Sequence, residues 1–182
     1  LGHYLSAPRR TCASRAPPSS MAKARFPVTP AVRQLRQARV DFSEHLYDYQ
    51  EHGGAPHAAR ELNLDLNSVV KTIVFADEGS NAHLVLMHGN LEVSGKNLAR
   101  QLACKSLTSC TPEAAHQHTG YLVGGISPFG TRKPLLVYIE ASILELTRIY
   151  INGGKRGFLV GLSPRAVVDL LQPTPVSVAI DI

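Results

Sequence analysis

The sequence predicts a mixed α/β domain in which helices surround a sheet containing both parallel and antiparallel strands. Helix start signals alternate along the chain with short apolar runs of strand length, and one glycine-rich turn joins two of these runs directly. The chain has 182 residues, of which 44% are hydrophobic and 18% charged, enough for one core. We therefore expect residues 21–182 to form a single domain.

Three helices are predicted by a hydroxyl side chain followed by proline. A hydroxyl oxygen caps the first free N–H groups of a helix, and proline fits the first helical position because its missing N–H costs nothing there. The signal occurs at Thr29-Pro30, Thr111-Pro112 and Ser163-Pro164. Apolar patterning predicts two further helices, at 56–63 and 95–103.

Strands are predicted where β-branched and aromatic residues lie between turn signals. Such runs occur at 42–48, 69–76, 83–88, 134–140, 148–153, 157–162 and 175–181. The segment "NGGKRG" at 152–157 has the composition of a hairpin turn and links two of the runs, so the sheet cannot be purely parallel. This hairpin would carry Lys155 and Arg156 at its tip.

The net charge of +5 does not predict a polyanion partner for the body of the chain. Eight of the 19 Lys and Arg residues precede Asp41, the first acidic residue, and 11 remain beside all 14 Asp and Glu residues from Asp41 onward. The body is thus slightly acidic, and we expect no DNA binding.

Residues 1–20 are rich in Ser, Pro and Arg and have no apolar period, and Met21 follows them. We expect a non-native or disordered leader ahead of a natural start at Met21, because the apolar core of a secretory signal is missing. No run reaches the roughly 18 apolar residues of a membrane span, so no membrane association is expected. The three cysteines are widely spaced without a CxxC pair, which disfavours zinc and disulfides and predicts a cytoplasmic protein.

The glycines of "HTGYLVGGISPFG" at 118–130 predict a close approach of the backbone to a neighbour. The segment lacks both the GKS or GKT ending of a phosphate loop and the GxGxxG spacing, so nucleotide hydrolysis is not expected. Two interpretations of Gly124 and Gly125 remain open. They form a simple turn, or they present two backbone N–H groups to a carbonyl or phosphate oxygen.

Lys71 lies within the apolar run "VVKTIVFA". The two-residue period of a strand places it on the face of Val69, Ile73 and Phe75, with Thr72 on the opposite face. It is either a charge that protects an edge strand or a cation directed into a pocket. His116 and His118 fall in a predicted helix without metal-ligand spacing, so neither a metal nor another cofactor is expected.

Four segments, "TPAVRQLRQARVDFSEHLYDY", "VVKTIVF", "TGYLVGGISPFG" and "YINGGKRG", occur in this order. Together they resemble the YbaK family of aminoacyl-tRNA deacylases, relatives of the editing domain inserted in some prolyl-tRNA synthetases. The resemblance covers nearly all of residues 21–182 and implies a mixed, partly barrel-like sheet surrounded by helices. It also implies a free-standing editor that removes cysteine from proline tRNA, and possibly from cysteine tRNA, without the synthetase's own catalytic parts.

The resemblance implies a catalytic group of Lys71, Gly124 and Gly125. The substrate-binding residues that it implies are Tyr47, Thr72, Ile126, Ser127, Asn152, Gly153, Gly154 and Arg156. Many family members have serine where Asn152 stands, which puts a hydroxyl role at that position in question.

The mechanism that the resemblance implies is substrate-assisted. The thiol of the mischarged cysteine attacks its own ester, closes a thiolactone and releases the tRNA, so that no protein nucleophile is needed. The partners implied are aminoacyl-tRNA and prolyl-tRNA synthetase. Two alternatives remain open: an editor of alanine or another small residue that uses water, and a non-catalytic module that binds the tRNA end or the synthetase.

Overall fold

The computed structural model describes residues 25–182, and all five predicted helices are present in it. Three begin at the predicted prolines, and the two predicted with ranges, 56–63 and 95–103, have both ends within two residues of those ranges. The expectations for residues 1–20 and Met21 fall outside the described residues. The helices are α1 (Pro30–Gln37), α2 (Gly54–Glu61), α3 (Gly95–Gln101), α4 (Pro112–Thr119) and α5 (Pro164–Leu171).

The predicted hydroxyl caps are confirmed at α1, α4 and α5. The side chains of Thr29, Thr111 and Ser163 accept hydrogen bonds from N–H groups in the first helical turn, at 3.1, 3.3 and 3.1 Å respectively. Each cap is followed by proline at the start of its helix. No helix within residues 25–182 has the length and apolar character needed to cross a membrane.

Ten strands and two short 3-10 helices complete the described chain. The 3-10 helices cover Leu66–Ser68 and Ala141–Glu145. The strands are β1 (Phe42–Leu46), β2 (Val69–Asp77), β3 (Ala82–His88), β4 (Leu91–Val93), β5 (Leu107–Ser109), β6 (Leu136–Glu140), β7 (Ile149–Lys155), β8 (Phe158–Leu162), β9 (Thr174–Val176) and β10 (Ala179–Asp181).

The predicted mixed sheet is confirmed. The large sheet has the order β1-β8-β7-β2-β3-β6-β9, with β5 joined to β2 as a branch, and β10 and β4 form a second, small sheet. Neighbours are parallel at β2–β7, β3–β6 and β6–β9, and antiparallel elsewhere. The predicted hairpin joins β7 to β8, with a register irregularity between Asn152 and Lys155.

The prediction of one strand over 175–181 is wrong. The buried carboxylate of Glu140 accepts hydrogen bonds from the N–H groups of Val178 and Ala179, at 2.9 and 3.1 Å. These bonds separate β9 in the large sheet from β10 in the small one. Strands β4 and β5 were not predicted, because three residues are too few to show a period.

One edge of β2 is only partly covered by neighbouring strands. On that edge β7 pairs with Val69 and Val70, and β5 pairs from Phe75 onward. Between these pairings, within the described chain, no strand lies beside residues 71–73. The alternation predicted for β2 is confirmed, since Val70 and Val74 belong to one apolar cluster while Ile73 and Phe75 pack into another. The gap is where the sheet leaves room for a ligand.

Candidate active site

A cavity of about 450 Å³ opens at the gap beside β2. Its size suits a small ligand or the end of a larger one. Six of the residues singled out in the sequence line it together: Tyr47, Lys71, Thr72, Gly124, Asn152 and Arg156. They come from the segment after β1, from β2, from the glycine turn and from the β7–β8 hairpin, so only the tertiary fold brings them together.

Lys71 lies on a strand in the middle of the sheet, where β2 pairs with β3 along most of its length. On its other side, within the described chain, β2 has no strand neighbour at residues 71–73, so Lys71 lies at a locally open edge as well as in the cavity wall. Both interpretations fit this position, and the role of Lys71 in the cavity stays a prediction. The half-buried ammonium group donates a hydrogen bond to the carbonyl oxygen of Leu91 at 2.5 Å. Burial lowers the pKa of Lys71, and the nearby carboxylate of Glu92 opposes that shift.

The hydroxyl oxygen of Thr72, a residue of the cavity wall, has no hydrogen-bond partner within residues 25–182. The residue is 9% exposed. A buried hydroxyl without a partner costs stability, so such groups are uncommon in native proteins. Thr72 lines the cavity as a residue, while its Oγ1 is shielded from solvent.

The two glycines of the GG pair have different environments. Gly125 donates its N–H to the carbonyl oxygen of Leu122 at 2.9 Å, which closes a turn with Gly124 at its third position and a φ of +93°. Only Gly124 lines the cavity. The turn interpretation is thus right, and a cradle made from both N–H groups is corrected, because the N–H of Gly125 is already used.

Gly125 is required for packing. A side chain there would lie 2.7 Å from the backbone nitrogen of Arg156. The turn and the β7–β8 hairpin therefore approach each other at backbone distance, which only glycine permits.

Four other predicted substrate-binding residues are not among those that line the cavity. Ile126 and Ser127 are buried, and Ser127 Oγ accepts a hydrogen bond from the N–H of Phe129 at 3.3 Å. The carbonyl oxygen of Gly153 accepts a hydrogen bond from the side chain of Thr29. Gly154 packs against Tyr121 and Thr29. Gly153 and Gly154 thus join the hairpin to Thr29 at the start of α1. The role of all four residues in substrate binding stays a prediction.

Tyr49 is a site residue that the sequence interpretation missed. Its hydroxyl oxygen lies 2.8 Å from the point where a side chain on Gly124 would begin, so the ring covers this glycine. Arg156 stacks on the same ring and donates from Nε to the carbonyl oxygen of Val123 at 2.8 Å. The two-residue spacing from Tyr47 was the available signal, since alternation predicts that both tyrosines face one side.

Histidines do not form a metal centre in the described part of the chain. No group of three or more His, Cys, Asp or Glu side chains is arranged there to hold an ion. His57, which lines the cavity, makes a 2.7 Å hydrogen bond to the carbonyl oxygen of Asp48, and its ring packs beside that of Tyr47.

The protein is thus an α/β domain with a cavity whose wall, in the described chain, contains the half-buried Lys71, the unpartnered Thr72 and the turn at Gly124. The family model for the aminoacyl-tRNA editing domain matches residues 53–170. The chain belongs to this family, and the resemblance found in the motifs is confirmed.

Curated relatives agree with this assignment. The chain is 28% identical over 143 residues to EbsC of Enterococcus faecalis, provisionally named a Cys-tRNA(Pro)/Cys-tRNA(Cys) deacylase, covering 78% of this chain and 87% of EbsC. It is also 26% identical over 94 residues to a proline–tRNA ligase of Brachyspira hyodysenteriae, covering 52% of this chain and 16% of the ligase.

Solved structures share the fold. One, described provisionally as a trans-editing enzyme for prolyl-tRNA synthetase, has a TM-score of 0.71 and 22% identity, covering 85% of this chain and 99% of the other. A hypothetical protein has a TM-score of 0.77 at 17% identity, covering 84% of this chain and 100% of the other.

Proposed function

We propose that this protein is a trans-acting deacylase that removes cysteine from proline tRNA. Membership in the editing family supports an aminoacyl ester as substrate, and the name of EbsC supports cysteine as the amino acid. Similarity to proline–tRNA ligases supports prolyl-tRNA synthetase as a partner.

The observation that carries the proposal is the half-buried Lys71, which lines one cavity with Gly124 and with Thr72, whose buried Oγ1 lacks a partner in the described chain. An aminoacyl ester brings a carbonyl oxygen and ribose oxygens, which can accept hydrogen bonds from the Lys71 ammonium group, and a small rotation of the Thr72 side chain would let its hydroxyl join them. Thr72 itself is a poor nucleophile here, because within residues 25–182 no base forms a hydrogen bond to its Oγ1. The hydroxyl therefore serves to bind and orient the ester.

The attacking group belongs to the substrate. The cysteine thiol adds to its own ester carbonyl carbon, the bond from that carbon to the ribose oxygen breaks, and the thiol proton passes to the departing ribose hydroxyl. The products are a thiolactone and free tRNA. Proximity within one molecule replaces the effective concentration that a protein nucleophile would supply.

Lys71 and Gly124 stabilise the charge that develops in this step. As the carbonyl carbon becomes tetrahedral, its oxygen gains negative charge, which a half-buried cation and a backbone N–H stabilise more strongly than water does. Lys71 and Gly124 line the same cavity. Tyr47 and Asn152 complete the walls around the amino-acid side chain.

The test is a deacylation panel on proline tRNA charged in turn with cysteine, alanine, serine and proline. We expect rapid loss of the cysteine ester only. Serine differs from cysteine by one atom and its hydroxyl attacks far more slowly, so it is the matched control for thiol assistance. Equal rates for cysteine and alanine would refute the thiol mechanism and indicate attack by water. Loss of no ester would leave a non-catalytic tRNA-end or synthetase-binding module.

A further inference from the structure

A second cavity, of about 660 Å³, lies between α1, the loop 128–135 and the end of α5. We call it the basic cleft. Its charged lining residues are Arg33, Arg132 and Lys133, and no carboxylate is among the residues that line it. This one-sided charge is unusual in a chain that carries more acidic than basic residues from Asp41 onward.

The three cations of the basic cleft are free to meet an external anion. All are exposed, and none takes part in an ion pair within the described part of the chain. Apolar side chains of β3, β6 and α5 line the cleft together with the polar side chains of Gln34, Gln37 and Thr131. The cleft therefore combines cations and hydrogen-bonding groups with apolar side chains.

The walls of the cleft are held in place. The N–H of Gly130 donates to the Gln34 side chain at 2.6 Å, and a side chain on Gly130 would lie 2.5 Å from the backbone of Pro30. The Arg132 side chain, including its guanidinium group, lies over Gly120, which ends α4 in the left-handed conformation. A preformed arrangement loses little entropy when it binds a ligand.

The basic cleft and the candidate active site share one loop. Gly124 lines the active-site cavity and Pro128 lines the cleft, so at most about 14 Å of chain separates them. A nucleic acid whose 3′ end enters the first cavity must carry its phosphates across the neighbouring surface. We infer that the basic cleft binds the phosphate backbone of the tRNA acceptor arm, an inference that rests on the proposed function.

The test measures binding of uncharged proline tRNA by fluorescence anisotropy between 50 and 200 mM salt. The triple variant Arg33→Gln, Arg132→Gln, Lys133→Gln removes the charge of the cleft. The control Arg60→Gln, Lys96→Gln, Arg100→Gln removes three exposed helical cations elsewhere. At 0.1 M salt we expect the cleft variant to bind on the order of 10–100-fold more weakly, with a salt slope smaller by about two to three. The control should keep nearly the full slope.

Wild-type affinity in the cleft variant, or an equal loss in the control, would overturn the inference. So would unchanged tRNA binding together with lost binding to prolyl-tRNA synthetase, since the occupant would then be a protein surface. If the triple variant does not fold, Lys133→Gln alone should lower the slope by about one.

Turnover of a short substrate separates this inference from the proposed function. Adenosine esterified with cysteine reaches only the first cavity, so the cleft variant should cleave it at the wild-type rate. Failure of the wild-type protein on this ester would count against the proposed function, whereas the tRNA salt slope tests the cleft independently of catalysis.

Discussion

The guanidinium carbon of Arg156 lies 5.2 Å from the centroid of the Tyr49 ring, which in turn covers Gly124. The Nε of the same arginine donates to Val123, the residue before that glycine. One side chain thus joins the hairpin tip, the segment after β1 and the glycine turn. We therefore expect Arg156 to position the N–H of Gly124.

Arg156→Lys should lower kcat for deacylation about tenfold with little change in KM. Lysine keeps the charge but loses the planar stacking and the Nε donor, so the turn shifts away from the reacting carbonyl, and small misplacements are costly. Steady-state kinetics on cysteinyl-tRNA(Pro) measures the split. Lys155→Ala, at the exposed neighbouring position, is the control and should leave both constants unchanged. A rise in KM alone would mean that Arg156 contacts the substrate instead.

Thr72→Val should reduce deacylation about 10–100-fold without loss of stability. Valine has nearly the shape of threonine and removes a buried hydroxyl that lacks a partner, so the free energy of unfolding should be unchanged or higher by up to about 1 kcal/mol. Urea unfolding and deacylation rates measure the two effects.

Thr119→Val provides the contrast for that experiment. The buried Thr119 Oγ1 donates to the carbonyl oxygen of Ala115 and accepts from the N–H of Tyr121. Its removal should destabilise the fold by about 1–3 kcal/mol. Full activity in Thr72→Val would remove the role given to that hydroxyl.

Gly124→Ala should destabilise the protein by about 1–2 kcal/mol and slow deacylation, because the φ of +93° and the Tyr49 hydroxyl both disfavour a side chain. Adding Tyr49→Phe removes the nearest clashing atom and should recover part of the stability. Gly125→Ala should cost more, since its side chain would meet the backbone of Lys155 and Arg156 rather than a movable ring. Thermal unfolding ranks the variants, and the reverse order would contradict this packing.

The alkaline limb of the pH–rate profile should depend on Glu92. Burial lowers the pKa of Lys71, so its positive charge is lost at a lower pH than that of an ordinary lysine, and activity that needs the cation falls as the pH rises through the lowered value. Glu92 opposes that shift, so Glu92→Gln should move the fall to lower pH.

The measured quantity is the ratio of the Glu92→Gln rate to the wild-type rate between pH 7 and pH 10, after subtraction of spontaneous ester hydrolysis. Ionisation of the substrate thiol affects both proteins equally and cancels in this ratio. Glu61→Gln, at an exposed position on α2, is the control and should give a flat ratio. A flat ratio for Glu92→Gln as well would show that the charge of Lys71 is not required.

Much of the candidate site was predictable where a residue is unusual in its own local pattern. Lys71 interrupts an apolar strand and a glycine pair interrupts a loop, so the residue types alone indicate a function at both places. The sequence could not predict different environments for the two glycines. Only the approach of the β7–β8 hairpin places Gly124 at the cavity and Gly125 against the backbone of Lys155 and Arg156.

The sequence by itself determined the helices, most of the strands and the family, because caps, periodicity and motifs depend on residues near each other in the chain. Only the tertiary structure decided where β2 lacks a neighbour and therefore where the cavity lies. It also divided one predicted strand into two, because Glu140 reaches Val178 and Ala179 across almost forty positions. Such pairings depend on which segments meet after folding, and no local pattern of residues contains that information.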